Sequence, residues 1–287
     1  MIVGSRESQL AMLQTEEFIR RLKKKMPEIE CETRGITSSG DIDLKTSLKD
    51  MGGTGVFVRE LDDLLKKGEI DVTVNSLKDI PAFIDEELTI GAVLPRAAVE
   101  DALYPIPWEK LSCGAIVGTS SMRRAMMIRA RKPDIRIKDI RGNMNTRLQK
   151  VNDEVYNAIV VAKAAMDRMG EDLNVYPIDK NIVIPAAGQG AIAVECRKDD
   201  KETLEILKKV DHAKTRIEVT FERDVLRYMN AGCSSPIGVN AEVTEDDEIK
   251  VLAASFVPDV PVRLSETFPV DDAPEKAKEI AAKLMRK

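Results

Sequence analysis

The sequence predicts a mixed α/β protein: two α/β units followed by a smaller α+β unit. Three observations predict it. Short apolar runs alternate with amphipathic segments as far as about Asp211. Two of those runs pass straight into helix-capping residues, at Gly118-Thr119-Ser120-Ser121 and at Arg141-Gly142-Asn143. Beyond Asp211 one helix is followed by successive strand patterns. The 287 residues suit two or three domains, at roughly 100–200 residues each. With 43% hydrophobic and 32% charged residues, a disordered or collagen-like chain is excluded. The longest uncharged run, Asn181 to Val194, has 14 residues, short of the ~20 that a membrane span needs.

In the first unit, Leu10, Leu13, Phe18, Ile19 and Leu22 fall largely on one side of a helix from Gln9 to Lys25. A glycine-rich loop, Gly52 to Gly55, precedes helical spacing at Phe57, Val58, Leu61, Leu64 and Leu65, with Lys66-Lys67-Gly68 as the stop. Ile70 to Val74 and Leu88 to Leu94 read as strands. Pro95, Pro105 and Pro107 punctuate a linker-like stretch up to Trp108. In the second unit, Ala115–Val117, Ile135–Ile137 and Ala158–Ala162 are strands, and helices open after Ser121 and Asn143. Ile182–Ile184 and Ala191–Val194 are apolar runs flanking Pro185 to Gly190. A helix through Ile217, Phe221, Val225, Leu226 and Met229 leads to Ala231-Gly232-Cys233-Ser234-Ser235-Pro236. Strands at Ala241–Val243 and Ile249–Phe256 and a last helix from about Pro274 complete the chain.

Composition narrows the chemistry. The net charge of −5 gives no global attraction for nucleic acid. One histidine, His212, excludes histidine clusters and most histidine-activated nucleophiles unless His212 serves. Four dispersed cysteines without C-x-x-C argue against a zinc site or redox dithiol. The N-terminus lacks a signal-peptide apolar region, so a reducing cytoplasm and free thiols are expected.

Against this acidic background, seven arginines and two lysines lie between Arg123 and Arg147, opposed by Asp134 and Asp139 alone. Arg129, Arg131 and Arg136 read equally well as solvated helix faces. Arg123 and Arg124 follow a Thr-Ser-Ser helix start, where backbone N–H groups and hydroxyls favour an anion and paired guanidinium groups suit carboxylates. Arg141, Gly142 and Arg147 repeat the arrangement at a second helix start. Two such places suggest a ligand with several carboxylates or phosphates; each by itself is also an ordinary helix cap.

Other segments carry weaker signals. Gly52–Gly55 lacks the G-K-[ST] ending of a phosphate loop, and reads as a mobile cover or a plain turn. Gly188-Gln189-Gly190-Ala191-Ile192-Ala193 fits a dinucleotide fingerprint formally, but a strand follows it, so it reads as a crossover between domains. Ser76-Leu77-Lys78-Asp79-Ile80-Pro81 closes a strand, with Pro81 holding Ile80 extended. Asp79 there is an acid/base or cation-stabilising candidate and Lys78 an anion ligand; a turn with a surface ion pair is the alternative. Cys233, in a small-residue loop, reads as an accessible covalent attachment point, with no histidine near it in sequence to activate it.

Seven segments in order, GSRESQLA, GGTGVFVREL, VNSLKDIP, VGTSSMRR, IRGNMNTRL, PAAGQGAIAVECR and ERDVLRYMNAGCSSPIG, resemble the porphobilinogen deaminase (hydroxymethylbilane synthase) family from Gly4 to Gly238. The resemblance implies a transferase that joins four porphobilinogen units head to tail with loss of ammonia. It implies a dipyrromethane cofactor in thioether linkage to Cys233, with Asp79 as the catalytic aspartate. Ser76, Lys78, Asp79, Thr119, Ser121, Arg123, Arg124 and Arg147 would bind the cofactor. Arg6, Ser8, Arg141, Gly142, Arg168 and Gln189 would bind substrate. It further implies two periplasmic-binding-protein-like α/β domains with a cleft between them (1–94 with 188–208, and 95–187) and a smaller α+β domain (209–287). A monomer with no metal, no nucleic acid and no membrane is expected, with hand-over of product to uroporphyrinogen-III synthase. Thr54 and Asp50 stand where the family often has basic residues, and Ala231 and Ser235 where it usually has glycine and an aliphatic residue. The rival readings are a non-catalytic two-domain organic-anion binder and a nucleic-acid module on the basic run; scarce aromatics (4%) oppose the latter.

Overall fold

The computed structural model describes residues 1–37, 58–153, 155–170, 174–232 and 235–286. The predicted glycine-rich loop, with Asp50, Thr54 and Phe57, and the cysteine of the last loop, Cys233, lie outside the described residues.

The chain runs β1 (Ile2–Arg6), α1 (Gln9–Lys25), β2 (Glu32–Ile36), α2 (Arg59–Lys66), β3 (Val72–Ser76) and β4 (Leu88–Val93). Then come β5 (Asp101–Tyr104), β6 (Ile116–Gly118), α3 (Met122–Arg131), β7 (Arg136–Lys138), α4 (Met144–Asn152), β8 (Ala158–Ala162), α5 (Lys163–Met169) and β9 (Tyr176–Pro177). It continues with β10 (Ile192–Arg197), α6 (Lys201–Leu207), α7 (Ala213–Tyr228), β11 (Ile237–Val243), β12 (Glu248–Ser255), β13 (Val262–Pro269) and α8 (Ala273–Leu284).

These elements make two five-stranded sheets, β2-β1-β3-β10-β4 and β7-β6-β8-β5-β9, and a three-stranded one, β11-β12-β13. Each large sheet has three parallel strands and then an antiparallel one, β10 against β3 and β5 against β8. The small sheet is antiparallel throughout. This is the mixed α/β class expected, with a small antiparallel sheet at the C-terminal end.

Residues 1–97 with 191–216 form one compact unit, and 98–190 with 217–287 the other. The chain therefore passes between units at the Gly188–Gly190 segment, in line with the crossover reading. The small sheet falls in the second unit. It has a core of its own, where Val239, Ala241, Val251 and Ala253 pack with Phe221 and Ile280, and its other face meets the second sheet. Ala254 of β12 is buried among Val117, Met127, Ile128 and Ile184, with Leu252 and Phe256 packed beside it. The N–H of Val239 donates to the Pro185 carbonyl at 3.0 Å.

Three local expectations are corrected. The stretch read as a linker contains β5, whose four residues are all buried; its prolines bracket the strand and leave its ladder with β8 intact. The strand expected at 70–74 lies at Val72–Ser76, because pairing with β1 starts at Val72 and pairing with β10 reaches Ser76. The buried face of α1 is Ala11, Gln14, Thr15, Phe18 and Leu22, not the full apolar set. Thr15 is tolerated there because its hydroxyl donates to the Ala11 carbonyl, and Gln14 because its amide pairs with Ser76. The strand β13 and the helix α6 are additions that sequence reading did not supply.

Candidate functional site

In the first unit the carboxyl ends of β1 and β3, adjacent parallel strands, open onto a cavity of about 50 Å³. In α/β sheets ligands bind at such strand ends. Arg6 ends β1, and Ser8 caps α1 by accepting the Ala11 N–H at 3.4 Å. Asn75 and Ser76 end β3, and a 3-10 turn over Leu77–Asp79 carries Asp79 to the cavity wall. Ile80 is extended (φ −79, ψ 128), as the following proline requires. The turn is tied down by the Leu77 N–H, which donates to the Ala191 carbonyl at 3.0 Å. Gln14 donates to the Ser76 hydroxyl at 2.8 Å, and buried Asn75 donates to Glu195 at 3.2 Å. Thus Arg6, Ser8, Ser76 and Asp79, separated in sequence, line one cavity. The Asp79 side chain makes no hydrogen bond or ion pair among the described residues. Lys78 stands beside it in the turn, half-buried and with an interaction of its own.

In the second unit two strand-to-helix loops lie side by side. After β6, buried Thr119 accepts the Ser121 N–H at 3.2 Å, and Ser121 caps α3. After β7, Asn143 caps α4. The Ser120 hydroxyl links the loops, donating to the Ile140 carbonyl (2.8 Å) and accepting the Ile140 N–H (3.1 Å). Gly142 has φ +114, and a Cβ there would lie 2.7 Å from Thr146, so only glycine fits this turn. Arg147 donates to the Gly142 carbonyl at 2.7 Å, and Lys150 to the Arg141 carbonyl at 2.9 Å. Arg168, on α5, donates to the Gly190 carbonyl at 3.1 Å.

Arg123 and Arg124 are 4% and 7% exposed, and both are paired with Asp101, which is fully buried. One oxygen of Asp101 receives Arg123 Nη1 at 2.6 Å; the other receives Arg124 Nη2 at 2.6 Å and Nε at 2.9 Å. Gln189 donates to the same carboxylate at 3.1 Å and to the Val99 carbonyl at 2.7 Å. Arg129, Arg131 and Arg136 are exposed, matching the solvated reading.

Sequence reasoning missed Asp101, which falls in the stretch taken as a linker. Its signal was an acidic residue opening the apolar run Ala102-Leu103-Tyr104. It also missed Glu222 on α7, fully buried, which accepts the N–H groups of Gly188 and Ala241, each at 2.7 Å. His212 is accounted for at the start of α7, its Nδ1 lying 2.8 Å from the Thr215 hydroxyl. Burial pushes the Cys196 thiol up to about 11, which leaves it unreactive as a nucleophile at neutral pH.

Comparisons with known proteins bear on the whole chain. A family model described as "Porphobilinogen deaminase, dipyromethane cofactor binding domain" matches residues 1–205. A second, "Porphobilinogen deaminase, C-terminal domain", matches residues 216–287. A porphobilinogen deaminase of Bacillus anthracis (strain CDC 684 / NRRL 3495) is 40% identical over 291 residues, covering 100% of this chain and 94% of the relative. One of Shouchella clausii (strain KSM-K16) is 41% identical over 289 residues, covering 99% and 93%. Among solved structures, a nutrient-binding protein from Burkholderia cenocepacia bound to methionine has a TM-score of 0.44 at 10% identity, covering 75% of this chain and 93% of that one. Among the described residues no helix is long and apolar enough to cross a membrane.

Proposed function

The chain belongs to the porphobilinogen deaminase family, and from that premise we propose that it is a hydroxymethylbilane synthase. It is a transferase that condenses four porphobilinogen units head to tail, releasing one ammonia for each. The observation that carries the reading is the cavity at the ends of β1 and β3, where Asp79 meets Arg6, Ser8 and Ser76.

The donor set suits the family's dipyrromethane, whose acetate and propionate groups are carboxylates. Arginine forks, serine and threonine hydroxyls and two capped helix starts are the groups that bind carboxylates best. When bound, the dipyrromethane supplies the pyrrole carbon from which the chain is extended. In this reading Cys233 carries its thioether. Ser76, Lys78, Asp79, Thr119, Ser121, Arg123, Arg124 and Arg147 hold it. Arg6, Ser8, Arg141, Gly142 and Arg168 engage the carboxylates of the incoming porphobilinogen; Gln189, expected among them, is fully buried and gives its amide hydrogens to Asp101 and the Val99 carbonyl.

Asp79 has the central chemical role. Its carboxylate accepts the pyrrole N–H and faces the positive charge that develops as the aminomethyl nitrogen, protonated, departs as ammonia. Charge stabilisation by a fixed carboxylate beside a small, partly enclosed cavity is worth more than the same contact in water. The side-chain amide of Gln14 holds the Ser76 hydroxyl beside it. The reaction fits a soluble enzyme of porphyrin and heme biosynthesis acting as a monomer in the cytoplasm and passing its product to uroporphyrinogen-III synthase.

The test is the intact mass of the protein before and after incubation with porphobilinogen, with peptide mapping at Cys233. Two porphobilinogens less two ammonias on Cys233, with ammonia released in turnover, is the expected result. Asp79→Ala keeps some of that added mass and loses nearly all turnover. An unmodified thiol with no ammonia after incubation would sink the reading and leave the non-catalytic anion binder.

A further inference from the structure

We propose that Asp101 is a positioning residue: one fully buried carboxylate that fixes Arg123, Arg124 and Gln189 together and so sets the geometry of the anion-binding wall of the second unit. The inference rests on the reading above, in which Arg123 and Arg124 serve the organic anion.

Asp101 opens β5, an inner strand of the second sheet, with β8 on one side and the short edge strand β9 on the other. Its carboxylate is therefore carried on rigid backbone and not on a loop, which is where a supporting group holds its partners best. Both oxygens are engaged, one by Arg123 at 2.6 Å and the other by two nitrogens of Arg124 at 2.6 and 2.9 Å. The two-point fork on one oxygen fixes the plane of the Arg124 guanidinium as well as its distance. Backbone carbonyls complete the seating: Arg124 donates to Val160 at 2.9 Å and Arg123 to Ile184 at 2.6 Å. Gln189, just before the chain leaves the unit at Gly190, donates to the same carboxylate.

A neutral amide at this place keeps the shape but presents an N–H₂ group to one guanidinium, where only an acceptor serves. Two buried cations then lack a shared counter-charge, and their forks turn away. Arginine geometry toward a carboxylate ligand is lost while the Asp79 cavity, in the other unit, is untouched.

The experiment compares wild type, Asp101→Asn and Asp101→Glu, each incubated with porphobilinogen. Mass uptake over time is read by intact mass spectrometry, KM and kcat are measured per loaded molecule, and circular dichroism checks folding. Asp101→Asn is expected to fold, to take up the added mass about tenfold more slowly or worse, and to raise KM for porphobilinogen more than it lowers kcat. Asp101→Glu, which keeps the charge on an arm one methylene longer, is expected to recover part of both. A folded Asp101→Asn that loads at the wild-type rate with unchanged KM overturns the proposal. If that variant does not fold, the same result in folded Asp101→Glu overturns it. Wild type that takes up no mass overturns the deaminase reading itself, a separate outcome from failure in the variants alone.

Discussion

Gly238→Ala perturbs the seam between the small sheet and the second large sheet, and its cost can be worked from the structure. Gly238 lies in β11 opposite Ala254 of β12. A Cβ added there would stand 2.6 Å from the Ile184 carbonyl oxygen and 2.9 Å from both Ile184 Cβ and Met127 Cε. These distances are far inside the 3.4 Å at which ordinary contact begins, and the nearest atom is backbone, so no side-chain rotation relieves it. Overpacking of this kind costs about 1–3 kcal/mol. Replacing glycine in a strand gives back about 0.4–1 kcal/mol by restricting the unfolded chain. Overpacking wins, leaving a net loss of about 1–2 kcal/mol, or a Tm lower by about 2–8 °C for a unit of this size. The Ile184 carbonyl that must move also receives Arg123 at 2.6 Å, so the variant is expected to bind carboxylate ligands less well. Differential scanning calorimetry and urea unfolding with an unchanged m-value measure the loss. A Tm equal to wild type or higher would refute the reasoning, because it would mean that the seam is loose enough to admit a methyl group.

Three further predictions follow the same logic. Glu222→Gln turns one acceptor into a donor facing the N–H of Gly188 or Ala241, and is expected to cost about 1.5–3 kcal/mol; urea midpoints within experimental error of wild type would count against the buried-acceptor role. Iodoacetamide at pH 8 is expected to label exposed Cys113 and to spare buried Cys196, whose thiol is pushed up to about 11; prompt native labelling of Cys196 would contradict its burial. Burial, with neighbouring Asp63, Asp85 and Glu60 adding to it against Lys66, raises the Asp62 carboxyl from 3.8 to about 7. A folded value above the unfolded one means that its contribution is fully present below 3.8 and is lost as pH rises through about 7. Asp62→Asn should flatten that decline in urea midpoints, and an unchanged slope between pH 4 and 8 would rule Asp62 out as its source.

Much of this protein was legible in its residues because local chemistry leaves local marks. Ser121 and Asn143 are caps by residue type, and each caps the helix start at which it was placed. Pro81 dictates the extended Ile80, and the Gly188–Gly190 segment marks a crossover that coincides with a unit boundary. The family, too, was readable, since seven motifs in register do not recur by accident. What sequence could not decide were pairings between distant segments. The two large sheets repeat one strand pattern, yet β10 reaches the first from far along the chain and β5 enters the second ahead of its parallel strands, so no sequence period announces it. Nor could residue type alone say that Arg123 and Arg124 share a buried partner while Arg129, Arg131 and Arg136 meet solvent. A guanidinium's environment is set by what the fold brings against it, and Asp101 arrives there only through the ladder between β5 and β8. Propensity, capping and spacing act over a few residues; ion-pair geometry and burial are properties of packed sheets, and only the tertiary structure determines them.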